Sequence, residues 1–367
     1  MKNVVLCCDG TANEFAVDRT NVVKLFYALE HGTPAQVAYY HPGLGTMEPP
    51  GALTGFAKRI TKLLGMAFGY GLEADVQDAY VFLMNSYELG DRLFLFGFSR
   101  GAYTVRVLAS LLHMYGLLPK GNEPLVPYAI RMMTAANEGQ RFPLAEQFQQ
   151  TFSKSCKPWF VGVWDTVSSV GWVSHPLHVP YSSDNPDIEI GRQAISIDEH
   201  RAFFRQNLWR PKSDANGSSS GWSGPKNLKQ VWFAGVHCDV GGGYPEAKSG
   251  LSKIALEWML GEAHAHGLLL NKQRTDLVLG KAGEGYVCPD ATAEAHESLK
   301  GLWRLAEFIP KKHFDWQTKT YSYRMNLFHR RQMPAESLVH ESVLQRGEAY
   351  RQRLPQDAVP VASMPLP

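Results

Sequence analysis

The chain has 367 residues, 44% of them hydrophobic and 20% charged, a balance that fits an ordinary globular protein with ample core and excludes a disordered chain. Its 37 basic and 35 acidic residues leave a formal charge of +2, so there is no general basic surface and nucleic acid is not expected as a partner. The five cysteines are odd in number and scattered, which argues against a disulfide framework and for buried free thiols in a reducing compartment.

The first residues enter a short apolar run, Val4–Cys8, without a long apolar region and small-residue cleavage site, so no secretory signal is read. No run is long enough to span a bilayer. The expectation is a chain made as a soluble cytoplasmic protein, with signal-independent secretion still open. Cys7 and Cys8 are adjacent on this predicted strand and should point to opposite faces. Asp9-Gly10-Thr11 follows it. An Asp-x-Asp-Gly-Thr phosphatase loop is set aside, because Cys7 stands where that nucleophile would be.

Gln36–Tyr40 reads as a weaker strand. Leu53–Phe68 predicts a helix with Phe56, Ile60, Leu63, Leu64 and Ala67 on one face, packed on a sheet or acting as a membrane-touching lid. A helix over Val76–Tyr87 leads to the strand Leu93–Phe96. Next comes Gly97-Phe98-Ser99-Arg100-Gly101, and then helical spacing over Ala102–Tyr115. Strand, Gly-x-Ser-x-Gly, helix is the layout of a nucleophile elbow, whose tight turn admits only small flanking residues. The alternative is a strand-to-helix turn with a capping serine.

Further strands are expected at Phe160–Trp164, ending in Asp165-Thr166, and at Val231–Val236, followed by His237-Cys238-Asp239. A helix covers Ile254–His266. Asp198-Glu199-His200-Arg201 reads as a solvated or salt-bridged helix start, and Pro211–Asn227 as a flexible loop. The alternation predicts an α/β fold of α/β-hydrolase type: a mostly parallel, doubly wound sheet with helical insertions. One domain is expected over residues 1–356, with an irregular tail over 357–367.

A serine nucleophile needs a histidine to take its proton and a carboxylate to hold that histidine's tautomer. Counting strands after the serine favours Asp239 as the acid, with Asp165 as alternate; a helix cap or turn residue is the competing reading of each. His340 in Leu338-Val339-His340-Glu341 is preferred as base by chain order. His237 is the alternate, passed over because it lies two residues from Asp239; His313 and His329 also qualify by order. Oxyanion or substrate contacts are expected from the Arg100 backbone N–H, from Gly10 or Thr11, and from the Arg100 guanidinium. A metal site from Asp9, His237 and Asp239, histidine pairs at 175/178 and 264/266, and a phosphate cradle at Gly241-Gly242-Gly243 are all weak by spacing. No cofactor or metal is called for.

These segments together resemble a family of α/β-hydrolase domains formerly of unknown function that includes the catalytic domains of type VI secretion phospholipase effectors. The resemblance runs through Cys8-Asp9-Gly10-Thr11-x-Asn13, Tyr39–Thr46, Gly69-Tyr70-Gly71-Leu72 and Gly90–Tyr103. It continues through Gly162–Val167, Ile197–Arg201, Trp232–Tyr244 and His340–Val343. Cys238 stands at a usual serine position. The resemblance implies a Ser-Asp-His esterase or lipase, with phospholipid as the best-known substrate class, and supports Ser99, Asp239 and His340.

The expectation is therefore a serine hydrolase of carboxylic esters, of lipids or phospholipids. An acyltransferase on the same site, or a catalytically silent binding module of the same fold, are the alternatives. Expected partners are an ester or lipid substrate, transient membrane contact, and an immunity or secretion partner if the chain is an effector.

Overall fold

The computed structural model describes residues 1–10, 18–43, 68–134, 138–167, 171–172, 175–176, 179–210, 222–301, 303–314 and 321–367. Eight strands form one sheet. They are β1 (Asn3–Cys8), β2 (Gln36–His41), β3 (Arg92–Phe98), β4 (Pro158–Trp164), β5 (Ile190–Ser196), β6 (Asn227–Phe233), β7 (Leu338–His340) and β8 (Val359–Val361). Their order is β8-β7-β6-β5-β4-β3-β1-β2, and every neighbouring pair is parallel. All the carboxyl ends therefore open on one edge, where ligands bind in open α/β sheets.

Strand alternation sorts the core into two layers. Val4, Leu6, Cys8, Leu93, Leu95, Val161 and Val163 pack on one face. Helices α2 (Phe68–Ser86), α3 (Arg100–Tyr115), α4 (Val126–Thr134) and α5 (Glu138–Phe152) supply the rest of that layer. Val5, Cys7, Phe94, Phe96, Phe160 and Trp164 face the other side. There they meet α1 (Asn21–Ala28) and α7 (Gly250–Ala265), which α6 (His237–Gly241) precedes in the chain. Cys7 and Cys8 thus lie on opposite faces, and all five cysteines are free thiols.

The element missing from the sequence reading is β5. Its centre is Arg192-Gln193, both fully enclosed, which breaks the apolar run that marks the other buried strands. Burial of Arg192 is compensated by Glu262 on α7 at 2.6 Å and by the Asn227 carbonyl at 2.9 Å. The tail also departs from expectation. Val359–Val361 joins the sheet as β8 rather than running irregularly, and Pro360 is tolerated because this strand is an edge. The predicted helix over 53–68 lies almost wholly outside the described residues, as does most of the loop over 211–227.

Candidate active site

The turn after β3 is sharp and closely packed. Ser99 has φ +58° and ψ −117°, a left-handed conformation that a non-glycine residue adopts only under constraint, and its side chain caps no helix amide. The capping alternative therefore does not hold. The flanking glycines are sterically required. A Cβ on Gly97 would lie 2.5 Å from the Gly101 carbonyl oxygen, and one on Gly101 would lie 2.2 Å from that of Cys8. Gly10, at the end of β1, rests on the elbow itself: its Cβ would stand 2.3 Å from the Phe98 carbonyl oxygen and 2.7 Å from Ser99 Cβ.

Three adjacent strand ends converge on this serine. Ser99 N–H donates to the Trp164 carbonyl, and Asp165 N–H to that of Ala194, so the ends of β3, β4 and β5 are locked in step. Asp165 follows β4 with φ +39°. His237 opens α6, just beyond β6. Its Nε2 lies 2.8 Å from Ser99 Oγ and its Nδ1 lies 2.6 Å from Asp165 Oδ2. The imidazole is sandwiched between Phe98, at 4.6 Å between centroids, and Phe204, which meets it edge-on at 4.9 Å.

The structure thus brings together Ser99 with the two alternates, Asp165 and His237, and does not bring Asp239 or His340 to them. Asp239 sits in the first turn of α6, where Oδ2 accepts from the Val236 and His296 amides and Oδ1 lies 2.6 Å from His296 Nδ1. It is a helix-start carboxylate with a histidine of its own. His340 ends β7, with Nδ1 at 2.9 Å from Ser342 Oγ and Nε2 at 3.1 Å from Ser363 Oγ. Its ring stacks on Phe233, and burial pushes its pKa down to about 4. Both of its nitrogens are committed away from the elbow. His329 is exposed, and the His313 side chain lies outside the described residues.

Asp165 is fully enclosed and has a second partner with no local signature in the sequence. Arg331 forks onto it, Nη1 to Oδ1 and Nη2 to Oδ2 at 3.0 Å, and the Ser196 amide donates to Oδ1 at 3.0 Å. Burial alone would raise this carboxyl. Arg331 and His237 outweigh it and hold Asp165 well below the usual carboxylate range. His237 is pushed below its ordinary pKa, first by burial, which the Asp165 hydrogen bond and charge offset only in part. It is neutral at pH 7, as a base must be.

Glu199 lies behind the histidine, fully enclosed, and accepts from the His237 amide at 3.3 Å and from Arg201 at 2.8 Å. Despite the opposing cost of burial, Arg201 brings its carboxyl down to about 2. The Asp198–Arg201 run is thus salt-bridged, as one of the two readings had it, but it starts no helix, and Glu199 within it is buried. The charge run was visible in the sequence; the burial of Glu199 was not.

At the other side of the elbow, the Gly10 amide donates to its own Asp9 Oδ1 at 2.8 Å, so it is turned away from the serine. Asp9 is itself held by Tyr40 and Thr20. The Arg100 side chain spends its Nε on the Gly10 carbonyl at 2.5 Å, tying the β1 loop to the elbow. The Arg100 amide opens the N-terminus of α3, where backbone N–H groups and the helix dipole favour negative charge. Thr11 lies outside the described residues.

A family model described as the catalytic domain of type VI secretion phospholipase effectors, Tle1-like, matches residues 2–262. Uncharacterized protein YEL023C of Saccharomyces cerevisiae is 38% identical over 226 residues, which cover 57% of this chain and 33% of the yeast protein. Among solved structures, an uncharacterized protein from Pseudomonas aeruginosa aligns at 21% identity with a TM-score of 0.44, covering 75% of this chain and 47% of that one. The Tle1 effector bound to the VgrG spike of the type 6 secretion system aligns at 17% identity with a TM-score of 0.39, covering 68% and 52%. The chain spans a third of the yeast relative's length and about half of each solved chain. The matched stretch holds Ser99, Asp165 and His237 and stops short of Arg331. The chain belongs to the family of type VI secretion Tle1-like phospholipase effector catalytic domains.

Proposed function

We propose that this chain hydrolyses carboxylic ester bonds of lipids through an acyl-enzyme on Ser99. The observation that carries the reading is the unbroken line Asp165–His237–Ser99, with contacts of 2.6 and 2.8 Å. His237 Nε2 takes the serine proton as Oγ attacks the ester carbonyl. It then returns that proton to the leaving alcohol, and water deacylates the serine by the same path in reverse. Asp165 keeps the proton of the resting imidazole on Nδ1 and stabilises the imidazolium as it forms. The Arg100 amide at the start of α3 is the first donor to the oxyanion, with Thr11, outside the described residues, as the proposed second. The phospholipase name of the family supports lipid esters as the substrate class.

A fluorophosphonate probe tests the site directly. The wild-type protein should label and hydrolyse a panel of short and long acyl esters, and Ser99→Ala should do neither. Absence of both labelling and ester turnover in the wild type would refute the reading.

A further inference from the structure

A cleft of about 410 Å³ lies between β7 and the chain that leads from it to β8. That volume falls in the range of small-molecule sites, about 300–1,000 Å³. Its apolar wall comes from Val339, Leu344, Leu354, Pro355 and Ala358. Val339 is fully buried and Leu344 is 41% exposed, so the wall runs from the core out to solvent. The chain that forms it is tied down at both ends. The Tyr350 hydroxyl donates to Asp198 Oδ2 at 2.5 Å and Arg353 pairs with Asp198 Oδ1, while the Val359 amide donates to the Ser337 carbonyl at 3.0 Å. The cleft is therefore preformed, and Leu354 and Ala358 rest on the same core layer as Trp232 and Phe233.

Among the described residues lining the cleft, Arg351 alone is charged. It is exposed at the rim, and its guanidinium makes no hydrogen bond or ion pair with any described residue. The neighbouring arginines are engaged elsewhere, Arg353 by Asp198 and Arg346 by the Ala291 and Ala293 carbonyls. Gln352 and Gln356 complete the lining with neutral amides that can donate. An apolar cleft with a free guanidinium at its mouth selects a molecule with an alkyl body and an anionic head, and the guanidinium fork matches a carboxylate with two parallel N–H···O bonds. The place is distinct from the elbow. β7 lies four strands from β3, about 19 Å across the sheet at roughly 4.8 Å per strand.

We infer that this cleft binds an alkyl carboxylate of medium chain length, with the chain on Val339, Leu344 and Leu354 and the head on Arg351. Such a molecule is what cleavage of a lipid ester releases. Its purpose as a second seat for the product rests on the proposed reaction. Occupancy of the cleft does not, and it is tested without turnover.

Full-length Ser99→Ala protein with labelled Leu, Val and Ala methyls is titrated with octanoate, 1-octanol and octylammonium, and the methyl resonances are followed. Octanoate should shift the methyls of Val339, Leu344, Leu354 and Ala358 saturably. It should bind about fivefold more tightly than 1-octanol, the worth of a solvent-exposed charge pair, and octylammonium should bind most weakly. Lengthening the chain from hexanoate to octanoate should tighten binding by about twofold to fourfold per methylene, as burial of each CH₂ requires. Arg351→Gln should bring octanoate down to the affinity of 1-octanol and leave 1-octanol unchanged. Leu344→Asp should abolish octanoate binding by removing apolar wall and repelling the head. Both positions are exposed, so the fold is retained, and the remaining methyl spectrum reports it. Shifts confined to methyls around Ser99, octanoate bound no more tightly than 1-octanol, full binding by Arg351→Gln, or a dimer that covers these methyls at working concentration would each overturn the inference. Absence of ester turnover in the wild type would instead strike the hydrolase reading and leave the titration standing.

Discussion

Asp165→Asn separates the proposed triad from its neighbours, because the surrounding donors dictate which way the new amide must face. The Oδ1 position receives two obligate donors, the Ser196 amide at 3.0 Å and Arg331 Nη1. The Oδ2 position receives one, Arg331 Nη2 at 3.0 Å, and faces His237 Nδ1 at 2.6 Å. An NH₂ at Oδ1 would oppose two donors. At Oδ2 it opposes one and gains an acceptor by donating to Nδ1. The second orientation wins, and it forces the imidazole proton onto Nε2, pointing at Ser99 Oγ. The base then has no lone pair for the serine proton. A wrong-tautomer defect of this kind costs about 10⁴-fold in kcat, or roughly 5.5 kcal/mol of barrier. Asparagine tolerates the positive φ at this position, so the backbone is spared. Arg331 does lose its carboxylate inside the protein, at a cost of about 3 kcal/mol in stability. The assay is kcat/KM on a soluble chromogenic ester, read where urea curves show the variant fully folded, with Asp239→Asn beside it. The expected result is loss of about 10⁴-fold for Asp165→Asn and under tenfold for Asp239→Asn. Asp165→Asn within tenfold of wild type, or equal losses in both, would refute the reasoning.

Four other outcomes follow from the same geometry. Gly10→Ala places a methyl 2.3 Å from the Phe98 carbonyl oxygen and 2.7 Å from Ser99 Cβ, so the elbow must shift; kcat should fall about 100-fold or more, and unchanged kcat would contradict the packing. Because burial lowers the pKa of His237, the acidic limb of kcat/KM should lie below the ordinary histidine value of about 6.5; a limb above that value would contradict its buried, neutral state. His340 titrates near 4 in the fold and about 6.5 when unfolded, so its stabilisation is complete above pH 6.5 and drains away as pH falls through 4. His340→Phe should remove about 3 kcal/mol of that pH-dependent loss in urea titrations and leave ester turnover in place; abolished turnover in a folded variant would restore His340 to the site. Arg331→Met should lower stability by about 3–5 kcal/mol and depress kcat, with Arg331→Lys recovering only part because it lacks the two-pronged fork.

The fold was largely legible because most of its strands are continuous apolar runs ending in polar or glycine-rich residues. The elbow was legible for the same reason, since a sharp turn leaves glycines on both sides of Ser99. The proposed acid and base were harder. Arg192 and Gln193 hide β5, and an uncounted strand makes Asp239 seem to follow the second strand beyond the serine when it follows the third. His237 was passed over for standing near Asp239, although α6 turns the two side chains to different partners: one to Asp165, the other to His296. Strand ends, not spacing along the chain, decide which groups meet. Arg331 had no local signature at all, because its partner lies 166 residues away and only tertiary closure makes the pair.

That distance has a consequence for how the centre closes. Every residue of the proposed relay lies at or before position 237, yet the cation that neutralises buried Asp165 lies at position 331. Without it, closing β4 and β5 around a bare carboxylate is opposed by its desolvation. The segment that carries Arg331, outside the stretch matched by the family model, is thus what lets the Asp165 carboxylate be enclosed.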